Sequence, residues 1–149
     1  MQGSFKKIKK VQPLVRAKKA MLDQEAVRLS KIRSEKIAVV QRMKENQTKY
    51  MSGVDQLNVI RGSEDRQNLE TMEQSLDVIK SKWYQLYKEV QTCEKQEEAQ
   101  IANVLNAQKE LLKVEKLRDG YEEQYLIELS QGEQKEQDER TLQRFMRKE

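Results

Sequence analysis

From Leu69 to Tyr125, apolar residues return at alternating steps of three and four. The positions are Leu69, Met72, Leu76, Ile79, Trp83, Leu86, Val90, Cys93, Glu97, Gln100, Val104, Ala107, Leu111, Val114, Arg118, Tyr121 and Tyr125. Fourteen of these 17 are apolar or aromatic, so a mean step of 3.5 residues holds over eight heptads. That period predicts a coiled-coil seam; a helix packed on a globular core shows a wider face and drifts toward 3.6.

The first half carries a poorer stripe: Val15, Lys18, Leu22, Glu25, Leu29, Ile32, Lys36, Val39, Met43, Asn46, Tyr50, Gly53, Leu57 and Ile60, nine of 14 apolar. Continuing this phase past Ile60 lands on Glu64, Gln67, Thr71 and Gln74. Extending the second phase back from Leu69 lands on Asp65, Gly62, Asn58 and Asp55. The stripe therefore stops and restarts across "RGSEDR", residues 61–66. Gly62 suits a left-handed helix C-terminus, Ser63 an N-cap, and Glu64 and Asp65 the positive end of a new helix dipole. Ser52-Gly53 is the rival turn, but the stripe runs through it, so Gly53 reads as a weak point inside the first helix. Two long amphipathic helices on a short loop fold back on each other. The expected fold is all-α: a long antiparallel two-helix coiled-coil hairpin with a C-terminal helical overhang. The first helix is placed at about 5–61, the turn at about 62–64 and the second helix at about 64–148.

Composition agrees with a thin seam rather than a central core. Charged residues make up 36% of the 149 and aromatics 5%, while there is one proline, Pro13. Disordered chains this charged are usually richer in Pro, Gly and Ser, whereas strong helix formers dominate here. Without histidine, and with the single cysteine Cys93, there is no His base, no Cys/His zinc set and no intrachain disulfide. No cofactor or metal is expected, nor an enzyme. Acid pairs such as Glu97-Glu98 and Glu122-Glu123 read as solvated helix faces. No stretch is apolar enough to span a membrane, and the start lacks a signal-peptide core.

Residues 1–60 carry +9 and residues 61–149 carry −5, which favours pairing of the arms. A turn at Gly62–Ser63 sets residue i opposite 125 − i, so Lys36 is expected to face Glu89 and Arg28 to face Glu97. About 25 C-terminal residues should overhang, because the stripe fades after Tyr125 through Glu128, Gly132, Lys135 and Glu139.

Two features suggest binding. The basic start sets Phe5, Ile8 and Val11 among Lys6, Lys7, Lys9 and Lys10. It suits nucleic acid, an anionic membrane surface or an acidic protein surface, or is a frayed basic terminus near the acidic residues 121–139. The cluster Trp83, Tyr84, Tyr87 places two aromatic rings beside the seam, where docking sites often lie.

The chain resembles the small stalk proteins of type III secretion, the YscO type and its flagellar FliJ relatives. The resemblance rests on the basic start followed by "PLVRAKKAM" at residues 13–21, on "KYM" at 49–51, and on "EQKEQDERTLQRFMRK" at 133–148. The injectisome YscO branch is the closer match and the flagellar branch the second. The resemblance implies a cytoplasmic, non-enzymatic component at the base of the apparatus, and the hairpin fold implies a monomer in solution. Its implied partners are a hexameric export ATPase, an export gate protein and secretion chaperones, with no nucleic acid and no stable membrane insertion. Carried over, the ATPase-facing residues are Lys6, Lys7, Lys9, Lys10, Arg16, Lys18, Lys19, Arg140, Arg144, Arg147 and Lys148; Tyr84 and Tyr87 face the gate or a chaperone. The alternatives are a generic coiled-coil scaffold or tether, and a nucleic-acid or membrane-surface binder acting through residues 1–19.

Overall fold

The computed structural model describes residues 2–62 and 66–147. They form two helices, α1 (Gln2–Arg61) and α2 (Arg66–Arg147), packed antiparallel as a helical hairpin. Every position of both stripes named above, polar interruptions included, is buried or half-buried. The narrow 3.5-residue periodicity thus becomes the helix–helix seam.

The chain divides into two compact units. One joins the described residues up to Glu25 with those from Val104 onward. Its centre is Val11, Val15, Leu111 and Val114, with Leu22 and Tyr121 packed on them. Pro13 lies inside α1 and removes one backbone hydrogen bond, at roughly 3 kcal/mol in a helix interior. Burial of Val11 and Val15 on either side of it offsets that cost. The seam also runs further than expected. Val11, Ile8 and Ser4 continue the phase backward from Val15, and Ser4 is only 3% exposed. The helix accordingly begins at Gln2, three residues before the expected start.

The other unit is Ala26–Asn103. Val39, Leu86 and Cys93 form its cluster, with Met43 and Val90 against it. Asn46 is buried on the seam, and its Nδ2 donates to the Ile79 carbonyl at 3.2 Å. Here the register differs from 125 − i. Lys36 Nζ pairs with Glu97 at 3.3 Å and Glu94 at 4.0 Å, not with Glu89, and Arg33 Nε reaches Glu97 at 3.6 Å. The shift is about one helical turn, and Leu76 set against Gly53 shows the same displacement from 125 − i.

The end of α1 also departs from expectation. Among the described residues no glycine has a positive φ, so Gly62 is not a left-handed cap. Its N–H instead donates to the Val59 carbonyl at 3.2 Å, an i to i−3 bond that tightens the last turn. The expected roles of Ser63, Glu64 and Asp65 fall outside the described residues. α1 passes through Gly53 unbroken, so Ser52-Gly53 is not the turn. A Cβ there would lie 2.6 Å from Leu76 Cδ2, so its missing side chain is the notch that receives Leu76.

Candidate functional site

The two expected binding regions lie in different units. In the unit built on Val11 and Leu111, α1 begins alongside α2. Ser4 Oγ donates to Glu128 Oε1 at 2.9 Å, and the Phe5 ring lies 5.8 Å from that of Tyr125. Lys7 Nζ sits 5.4 Å from the centre of the Tyr121 ring, and Lys9 Nζ 4.6 Å from that of Phe5. The Ser4 hydroxyl bond, helped by the nearby Lys7 charge, holds the Glu128 carboxyl below its usual pKa.

The basic start is therefore held against α2 by contacts that include the Ser4 hydroxyl and the Phe5 ring. Lys6, Lys7, Lys9, Lys10, Arg16 and Lys19 are all exposed, and among the described residues Lys6, Lys7, Lys9 and Lys10 form no salt bridge. The acidic run at 121–139 does not neutralise them by direct pairing. Lys18 differs, being half-buried on the seam and 4.0 Å from Glu110. Its geometry suits pairing of the helices better than docking.

Beyond Gly132, every residue from Glu133 to Arg147 is exposed, although the helix continues. The unopposed stretch is shorter than the 25 residues expected, because Ser4 and Phe5 extend the pairing past Tyr125. Continuing the seam phase from Glu139 reaches Leu142 and Met146, and Phe145 lies beside them. These three are 57%, 66% and 66% exposed. At about 100° per residue, Arg140, Arg144 and Arg147 fall on the opposite face of the helix. Arg140, Arg144 and Arg147 were legible as candidates from charge alone. The apolar face behind them was missed, although two further steps of the stripe would have found it. Lys148 lies outside the described residues.

In the Ala26–Asn103 unit, Trp83 is half-buried on the seam and organises its neighbours. Tyr87 stacks on it at 5.5 Å with rings 9° apart, and Tyr84 meets it edge-on at 5.4 Å and 84°. Tyr84 and Tyr87 are both exposed, as a docking role requires. A recess of about 220 Å³ opens beside them, walled by Gln47, Tyr50, Ile79, Lys80, Trp83 and Tyr84.

Among the described residues no cluster of carboxylates or thiols could hold a metal ion. No described helix is long and apolar enough to cross a membrane.

A family model described as "Flagellar FliJ protein" matches residues 7–149. No curated protein and no solved structure matches the chain.

Proposed function

Because the chain belongs to the flagellar FliJ protein family, we propose that it is a non-enzymatic stalk and escort component of a type III protein export apparatus. It works in the cytoplasm at the base of that apparatus, as a monomer in solution. Its partners are the hexameric export ATPase, an export gate protein and secretion chaperones. Within the family, the assignment to the injectisome YscO branch follows the residues at 13–21, 49–51 and 133–148.

One observation carries the reading: the exposed end of α2 is apolar on one side at Leu142, Phe145 and Met146 and basic on the other at Arg140, Arg144 and Arg147. A flat surface satisfies only one of those faces at a time. A partner that surrounds the helix satisfies both, burying the apolar side chains and meeting the arginines with acids. An ATPase ring has that shape. The exposed lysines at 6, 7, 9 and 10 supply further positive charge in the same unit. Tyr84 and Tyr87 are assigned to the gate or a chaperone.

The test is capture of the purified cognate export ATPase by the full chain at low salt. The wild-type chain is expected to retain it. Leu142→Ser with Phe145→Ser, and separately Arg140→Glu with Arg144→Glu, are expected to release it without loss of helicity. Failure of the wild-type chain to bind, or undiminished binding by both variants, overturns this assignment.

A further inference from the structure

The Ala26–Asn103 unit has recesses along both sides of its seam. On one side they are walled by Glu35, Val39, Arg42, Lys88 and Cys93 in one place, and by Lys49, Ser52, Met72, Ser75 and Leu76 in another. On the other flank α1 carries a second stripe with alternating steps of three and four: Ile37, Val40, Lys44, Gln47, Met51 and Val54. Four of these six are apolar, and Ile37 and Met51 are 70% and 60% exposed. Arg33, Ile37, Val40 and Lys44 wall a recess of about 410 Å³ there. The aromatic recess at Gln47, Trp83 and Tyr84 opens on the same flank.

A heptad stripe beside the seam on α1, with Tyr84 and Tyr87 projecting from α2, is the surface onto which a third helix packs in a three-stranded bundle. Its charge selects the occupant. Lys44 and Lys80 line the recesses and form no salt bridge among the described residues. On the same unit Glu94 and Glu97 are already engaged by Lys36 and Arg33.

We infer that this flank docks an amphipathic helix of a partner protein, apolar on the facing side and edged with glutamate or aspartate opposite Lys44 and Lys80. The inference rests on the reading of Tyr84 and Tyr87 as a docking site and narrows it to a helix-in-groove interface centred on Ile37, Met51 and the aromatic cluster. Trp83 is the chain's one tryptophan, so its emission reports occupancy directly.

The experiment titrates the full chain with three synthetic three-heptad helical peptides, all without tryptophan. One has leucines at alternating three- and four-residue steps with glutamate edges, the second has lysine edges, and the third has the leucines scrambled. The glutamate-edged peptide is expected to change Trp83 emission saturably, and the lysine-edged one to bind roughly tenfold or more weakly, given two reversed charge contacts. Lys44→Glu combined with Lys80→Glu should reverse that order. Ile37→Glu with Met51→Glu should abolish binding while helicity by circular dichroism stays unchanged, since both side chains are exposed. Equal binding of the three peptides, or binding that survives Ile37→Glu with Met51→Glu, overturns the inference. So does a peptide-free dimer by light scattering that dissolves in that variant, because the flank's occupant is then a second copy. No export component enters the titration, so its failure leaves the ATPase capture standing, and failure of the capture leaves the titration standing.

Discussion

Leu76 projects into the space where Gly53 has no side chain, 2.6 Å from where a Cβ would sit. Leu76 is buried and Gly53 half-buried within an uninterrupted helix. Two effects therefore oppose each other at position 53. Alanine improves helix propensity by about 1 kcal/mol, and overpacking against a buried leucine costs about 1–3 kcal/mol. Gly53→Ala is expected to lower stability by about 1 kcal/mol, and Gly53→Val by more. In a Leu76→Ala background the clash is gone, and Gly53→Ala should stabilise. Urea denaturation of the four proteins in this double-mutant cycle measures the change of sign. An equal effect in both backgrounds would mean that the notch has no packing role.

Lys36 and Glu97 on the seam form a charged group with Arg33 beside it, and the Glu97 side chain is 19% exposed. Breaking such a group leaves a charge in a partly dry place, whereas replacing the pair by apolar side chains removes the desolvation cost. Glu97→Ala is expected to destabilise by about 1–3 kcal/mol. Lys36→Leu with Glu97→Leu should be neutral or stabilising, since it lengthens an otherwise apolar strip. Chemical denaturation midpoints separate the two outcomes.

The Ser4–Glu128 bond gives the start of α1 a pH dependence of definite sign. The folded Glu128 carboxyl has a pKa below its ordinary value of 4.5, chiefly because Ser4 donates to the charged form. The stabilisation is therefore fully present above that ordinary value and is lost as pH falls through the lower folded value. Amide exchange over residues 4–12 should accelerate, relative to the intrinsic rate, when the solution is acidified through this window. Ser4→Ala should start with faster exchange at neutral pH and show a flatter acid response. An unchanged acid response in Ser4→Ala would place the dependence on another group.

Cys93 is a buried free thiol beside Val39 and Leu86. A thiol reagent should modify it slowly in the native chain and fast in denaturant, because reaction waits for the seam to open. Leu86→Ala, which removes a neighbour at a cost of about 2–4 kcal/mol, should raise the native labelling rate in proportion to the lost stability. Reaction as fast as that of a small free thiol would show that Cys93 is not shielded.

Much of the fold was legible before any coordinates, and the reason is geometric. A narrow apolar strip repeating every 3.5 residues has few ways to be buried, and a phase break at "RGSEDR" leaves reversal as the simplest. Even Lys36, Asn46, Glu97 and Gln100 were marked as seam positions by spacing alone and are half-buried or buried. Charge marked Arg140, Arg144 and Arg147, and aromaticity marked Tyr84 and Tyr87, as candidates, and all five are exposed.

What the sequence by itself determined was therefore which side of each helix goes inward. The tertiary structure alone decided the register, since a shift of one turn keeps every seam residue on the seam and changes only its opposite number. The observed register pairs Lys36 with Glu94 and Glu97 rather than with Glu89. It depends on shape: Leu76 needs the space at Gly53, and Ser4 meets Glu128 only at one alignment. The second stripe on one flank likewise acquired meaning only when the packing brought Ile37 and Val40 of α1 to the same side as Trp83, Tyr84 and Lys80 of α2.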